Sequence, residues 1–344
     1  MPIIYADAAL FDMDGTLTDS IAAVEAAWAK VAADVGHDPV QVIAMTHGKR
    51  AVDNLAMFKP HIKEHEMDSE VAAFENTIMF YADAYHKHGP GFSLTLPVEQ
   101  TSSPSSGALT PALFFGSSSG SSATSSGPPS RQPSSTGESN RRPSFVSRLS
   151  RVLLATALQL EEKSASDLIY EEGTFKEIST TPLEDQLQEW ELEAASVNRS
   201  VKILPGVKRM LSSIPKNRYA VATSGAKTYA YGCMTRVGII PPEVTITADD
   251  KRLKAGKPAP DPFLLAAECL GFSAVNCVVF EDSPSGIRAG VASGATVIAV
   301  CTSHERAKIE DCGAHYIVED MAQVECKVIG EGQHEKLQFT ILDM

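Results

Sequence analysis

Hydrophobic positions follow two rhythms along this chain, parted by a stretch that has neither. The first apolar run, Ala8-Ala9-Leu10-Phe11, stops at Asp12 and predicts a buried strand feeding a loop. From Ser20 the spacing turns helical. The run SIAAVEAAWAKVAADVG places Ser20 as N-cap and Gly36 as stop. Helical spacing returns over about 50–58 and about 66–88, where HKHGPG ends it. Residues 101–144 are then mainly Ser, Gly and Pro. Such a segment cannot bury enough apolar surface to offset its ordering entropy, and disorder is expected there. A weak helical pattern resumes from about 150, and a clearer one covers PLEDQLQEWELEAASV, 182–197.

From Val201 the rhythm alternates. Strands are predicted at YAVATS (219–224), VTITADD, CVVFED (277–282), TVIAV (296–300) and HYIVE. Between them KTYAYGCMTRVG, DPFLLAAECLG, PSGIRAGVASG and SHERAKIEDCG read as helices. Short apolar strands alternating with helices of this length imply βαβ units and a parallel sheet. Val324 to Leu342 reads as a terminal β-hairpin. The strand at 8–12 belongs with this later sheet, so the helices between form an insertion. The fold class is α/β: a Rossmann-like parallel-sheet core with an inserted all-helical domain that itself carries a disordered Ser-rich insertion.

Charge and cysteine content narrow the function. Lys and Arg number 30 against 43 Asp and Glu, a formal charge of −13. An acidic chain is a poor partner for nucleic acid or a membrane surface, because phosphates repel it. Six cysteines without a CxxC pair fit reduced thiols in a cytoplasmic protein. MPIIYADAAL has no basic n-region, and no apolar run approaches a membrane span. A monomer is the default expectation.

In an open parallel sheet, ligands bind beyond the carboxyl ends of the strands. The strands here end in Asp12-Met13-Asp14, in Thr223-Ser224-Gly225 and in Glu281-Asp282-Ser283. Lys257 sits in a Gly-Lys-Pro turn between the last two. These groups suit phosphoryl transfer through an aspartyl phosphate. Asp12 is the candidate nucleophile. Asp14 is the candidate acid for the leaving oxygen and then base for water. Carboxylate and phosphate repel, so a metal is needed between them. Mg2+ favours oxygen ligands, and Asp12, Asp14, Asp282 and Glu281 are its candidate ligands. Thr223 and Ser224, with Gly225 beside them, are placed to hold phosphate oxygens. Lys257 would neutralise charge on the transferring group.

FDMDGTLTDS, VATSG, GKP and VVFEDSPSGIRAG resemble, in order, the four motifs of the haloacid dehalogenase-like superfamily. Within it the chain is most similar to the fungal glycerol-3-phosphate and 2-deoxyglucose-6-phosphate phosphatases. The resemblance covers roughly 8–60 and 195–320. It implies a catalytic core over 1–17 and 201–344, a helical cap over 18–96 and 151–200, and a disordered insertion over 97–150. It also implies a Mg2+-dependent phosphatase for a small sugar or polyol phosphate, working between core and cap. Dehalogenases resemble this chain but lack an acid at the position of Asp14. MTHGKRAVD resembles the cap loop of the sugar-phosphate and glycerol-phosphate phosphatases, which makes His47 and Arg50 candidate substrate contacts, with Lys49 a further option. Two other functions share the motifs: a β-phosphoglucomutase-like isomerase, and a non-catalytic sugar-phosphate-binding regulator.

Overall fold

The computed structural model describes residues 1–92, 182–330 and 335–342. The Ser-rich segment expected over 97–150, and the expected cap residues 151–181, lie outside the described residues. The chain opens with β1 (Ile3–Ala6), β2 (Ala8–Phe11) and β3 (Thr18–Asp19). Helices α1 (Ile21–Val35), α2 (Pro39–Thr46), α3 (Ala51–Phe58) and α4 (Glu64–His88) follow, then α5 (Pro182–Ser196). After β4 (Lys202–Ile203) and α6 (Val207–Ser213), strand and helix alternate. The series is β5 (Tyr219–Ala222), α7 (Lys227–Arg236), β6 (Thr245–Ile246), α8 (Asp261–Leu270), β7 (Cys277–Glu281), α9 (Pro284–Ala292), β8 (Thr296–Val300), α10 (Arg306–Ile309) and β9 (Tyr316–Val318). The last two strands are β10 (Val324–Ile329) and β11 (Lys336–Ile341).

Six strands form one parallel sheet in the order β6-β5-β2-β7-β8-β9. The chain leaves β2 toward β5 and β6, then returns to place β7 on the other side of β2. That reversal opens a crevice beyond the carboxyl ends of β2 and β7. Both sheet faces are covered. Ala9 and Phe11 face one core while Ala8 and Leu10 face the other, and in β7 Val278 and Phe280 alternate likewise with Cys277 and Val279. Burial on both faces is why these strands read as unbroken apolar runs. Phe11 stacks on Phe280 with ring centroids 4.9 Å apart, locking the two strands just before their acids.

The predicted hairpin is present, with β10 and β11 antiparallel. Its partner β1, also antiparallel to β11, was not legible from the sequence. Helix α2 was also unforeseen. Its cue is local: Asp38 accepts a hydrogen bond from the Val40 N–H at 3.0 Å, and Pro39 opens the first turn. The helix expected over SHERAKIEDCG shrinks to the single turn of α10 and a 3-10 turn, which Gly313 ends at φ 90°. Gly36 ends α1 as expected, in the left-handed conformation.

Helices α1, α2, α4 and α5 pack on one another, and α3 packs on α4. Trp28 meets Phe74 at 4.2 Å, and Trp190 meets Phe80 at 5.0 Å and Tyr81 at 5.6 Å. This helical layer touches the sheet's loops through polar contacts. Ser224 Oγ donates to the Gly48 carbonyl at 3.0 Å. Arg236 on α7 makes a two-pronged pair with Asp83 on α4 at 3.0 and 2.8 Å. The Ala226 N–H donates to Glu75 Oε1 at 2.6 Å. Among the described residues no helix is long and apolar enough to cross a membrane.

Two outcomes are expected. Phe280→Ala removes a fully buried ring and should lower the unfolding free energy by about 3–5 kcal/mol in a urea titration. Burial raises the Glu75 carboxyl from 4.5 to about 7, against the opposing bond from Ala226. The native state therefore holds this proton more tightly, and the wild-type chain loses stability as pH rises from 4.5 to 7. Glu75→Gln removes that loss, so its stability relative to wild type should climb over the same window. A flat difference between the two urea curves would refute this.

Candidate active site

The loop after β2 is built around Asp282. Gly15 has φ +82°, and a Cβ there would lie 2.2 Å from Asp282 Oδ2, so only glycine fits. Thr16 Oγ1 donates to Asp282 Oδ1 at 3.1 Å, and Ser303 Oγ donates to Oδ2. The Gly-Thr pair after Asp14 thus ties the end of β2 to the end of β7.

Asp12 is buried, and its N–H continues the ladder to the Phe280 carbonyl at 3.0 Å. The ammonium of Lys257 lies between Asp12 Oδ1 and Glu281 Oε1, the latter at 2.7 Å. Glu281 is wholly enclosed. Its Oε2 accepts from the Asp282 and Ser283 N–H groups, each at 2.9 Å, and from Ser283 Oγ at 3.1 Å. Gly286 leaves room for it, since a Cβ would fall 1.5 Å from Oε1. Burial raises the Asp12 carboxyl, opposed by Lys257 and reinforced by Glu281, Asp282 and Asp14. Burial would lower Lys257, but Asp12 and Glu281 outweigh it and hold the ammonium charged.

Asp14 has different neighbours. Its Oδ1 accepts from Tyr229 OH at 2.6 Å and from Ser20 Oγ. Burial raises its carboxyl, and the two hydroxyls pull in the other direction. Ser20 sits at the N-cap position of α1 as expected, yet its hydroxyl serves Asp14 and caps nothing. Tyr229 escaped notice in the sequence. It lies on the first turn of α7 after Thr-Ser-Gly, and only the packing of that helix brings its hydroxyl to β2.

Asp12, Asp14, Ser224, Gly225, His47 and Asp282 line one cavity of about 70 Å3. Thr223 is buried behind it, with Oγ1 accepting from the Gly225 N–H at 3.1 Å. His47 stands 3.7 Å from Asp282 and 4.4 Å, ring to ring, from His304. Burial lowers His47, but the Asp282 carboxylate overrides this and leaves it raised. Burial would raise Asp282, but its bonds to His47 and Ser303 leave it lowered. Arg50 is not brought to this cavity. Its guanidinium pairs with Asp53 at 2.8 and 2.9 Å, and it lines a neighbouring cleft with Glu75 and Asp249.

Asp12, Glu281 and Asp282 each present an oxygen within 4.8 Å of the others. With Asp14, four acids face one ammonium here. An all-oxygen set with excess negative charge suits a hard divalent cation.

The chain is similar in sequence to several known phosphatases. Over 131 residues the chain is 36% identical to glycerol-1-phosphate phosphohydrolase 2 of Saccharomyces cerevisiae, covering 36% of this chain and 52% of that protein. It is 41% identical over 108 residues to hexitol phosphatase A of Escherichia coli, covering 31% and 49%. It is 32% identical over 144 residues to 2-deoxyglucose-6-phosphate phosphatase 2 of Saccharomyces cerevisiae, covering 36% and 58%. The matches thus span about half the length of these relatives. A hydrolase from Pseudomonas syringae shares the fold, with a TM-score of 0.50 at 16% identity, over 92% of this chain and 94% of that one. Residues 129–294, a little under half of the chain, match the haloacid dehalogenase-like hydrolase family.

Proposed function

We propose that this chain is a Mg2+-dependent phosphatase acting on a small sugar or polyol phosphate, with Asp12 carrying the phosphoryl group between two half-reactions. The observation that carries this reading is the contrast between two aspartates in one cavity. Lys257 holds a cation against Asp12, whereas Asp14 is held by two hydroxyls. One carboxylate is equipped to attack and the other to carry a proton. The related phosphatases from yeast and Escherichia coli support phosphate ester chemistry.

In the first half-reaction an Asp12 oxygen bonds to phosphorus and the bond to the alcohol oxygen breaks. Protonated Asp14 gives its proton to that leaving oxygen. In the second, Asp14 takes a proton from water as the water oxygen attacks phosphorus. Inorganic phosphate leaves and the Asp12 carboxylate is restored. Lys257 balances charge on the transferring group, and Ser224 and Gly225 line the place where phosphate oxygens would sit. Asp12, Asp282 and the Asp14 backbone carbonyl would hold Mg2+, with Glu281 behind them fixing Lys257 and the turn. When bound, the ion supplies the positive charge that lets a phosphate approach these acids. A cytoplasmic setting belongs to the same reading, and all six cysteines are free.

Phosphate release from a panel of sugar and polyol phosphates tests this. Turnover should need Mg2+, stop with EDTA and be absent in Asp12→Asn. An active Asp12→Asn variant would sink the mechanism, and sugar-phosphate interconversion without free phosphate would make the chain a mutase. Tyr229→Phe should lower kcat about tenfold with little change in KM, since it loosens the proton carrier rather than the phosphate site.

A further inference from the structure

The helical layer presents a largely apolar wall to the cavity: Ile21, Val24, Trp28, Ile43, Phe74 and Ile78. A wall of this kind would hold any short carbon chain and would not select one. The polar groups on the same side are Glu25, Thr46, His47, Lys49 and Glu75. Thr46 spends its hydroxyl on the Ile43 carbonyl at 3.1 Å, and His47 faces Asp282. Lys49 is exposed, and Glu25 is half-exposed. Glu75 alone among the five is a deeply buried charged group, with 6% of its surface accessible.

Only half of that carboxyl is matched. Oε1 accepts from the Ala226 N–H at 2.6 Å, and among the described residues no hydrogen bond reaches Oε2. Glu75 lines the cavity together with Asp12 and Asp14, and also the larger cleft beside it. Glu75 lines the cavity, so a hydroxyl of a ligand held there can donate to its carboxylate.

We propose that Glu75 selects the alcohol half of the substrate: its carboxylate accepts a hydrogen bond from a free hydroxyl on the leaving group, which makes the substrate an uncharged polyol joined to a single phosphate. This rests on the phosphatase reading above. There the leaving oxygen is at Asp14, whose charge is felt at Glu75. The carbon atoms beyond that oxygen therefore lie between Asp14 on the core and Glu75 on α4. A leaving group with a second phosphate or a carboxylate would meet Glu25 and, above pH 7, the ionised Glu75, and be repelled. An alkyl group would fit the apolar wall but leave Oε2 without a partner.

The test is phosphate release by the full chain with Mg2+ from glycerol 1-phosphate and from propyl phosphate, which share a three-carbon frame and differ by two hydroxyls. The wild type should prefer glycerol phosphate, in kcat/KM, by about tenfold or more. Glu75→Ala should collapse that preference by a similar factor. Glu75→Gln should restore part of it, because an amide oxygen accepts the same hydrogen bond. If Glu75→Ala slows both esters in equal proportion, the residue serves only to hold Ala226 and the proposal is overturned. An unaltered preference in Glu75→Ala overturns it too. Wild-type turnover of both esters without preference removes the selectivity and leaves the phosphatase standing. Release from neither ester, nor from any member of the sugar-phosphate panel, removes both.

Discussion

One buried ammonium organises this structure. Lys257 is 2% exposed and lies between Asp12 and Glu281, at the ends of two adjacent parallel strands. An isolated buried charge is prohibitive, and a buried pair holds only when its remaining donors and acceptors are matched. Here they are. Glu281 spends its second oxygen on two backbone N–H groups and the Ser283 hydroxyl, which turn the chain into α9. Asp12 is fixed through its own N–H to β7. The stacked pair Phe11 and Phe280 sits one residue behind each acid, so strand packing and charge pairing reinforce one another. Removing the lysine would leave two enclosed carboxylates facing each other, which is why the loop before α8 is as much a part of the core as the sheet.

The same pairing separates the two aspartates that the chemistry needs. They are two residues apart in the chain, both desolvated, and burial raises both carboxyls. What differs is the partner. Asp12 meets a fixed cation and three further acids, whereas Asp14 meets two hydroxyl donors, and in each case the cation or hydroxyl works against burial. Environment assigns the roles, not residue type. Acids outnumber cations at the strand ends, and on the proposed reading a divalent ion would offset the repulsion between these carboxylates and a phosphate ester.

Selectivity has a different origin. On the proposed reading, core residues would meet the phosphoryl group common to all phosphate monoesters. The wall on the other side of the cavity comes from α1, α2, α3, α4 and the turn at Gly48. That wall is seated by few polar contacts: Ser224 to Gly48, Arg236 to Asp83 and Ala226 to Glu75. Glu75 belongs both to this seating and to the cavity. A single carboxyl group there couples the position of the helical layer to the polarity of the space beneath it.

The sequence by itself determined a good part of this protein. Period-two and unbroken apolar runs located the sheet strands, because a strand buried on both faces has no freedom to carry polar residues. Acids and hydroxyls at strand ends marked the crevice, because a parallel sheet aims all its carboxyl ends one way. Short elements were less legible. Helix α2 depends on a capping contact at Asp38, which a hydrophobic pattern does not register, and β1 is recognised only by pairing with β11, over three hundred residues away in the chain. Tertiary structure alone decided which polar groups meet. It brought Tyr229 and Ser20 to Asp14, turned Arg50 away to Asp53, and set Glu75 of α4 beside Asp12 and Asp14. The physical reason is that periodicity encodes which face of an element is buried. The partner of a buried polar group is fixed by how elements cross in space, and no local spacing in the chain carries that information.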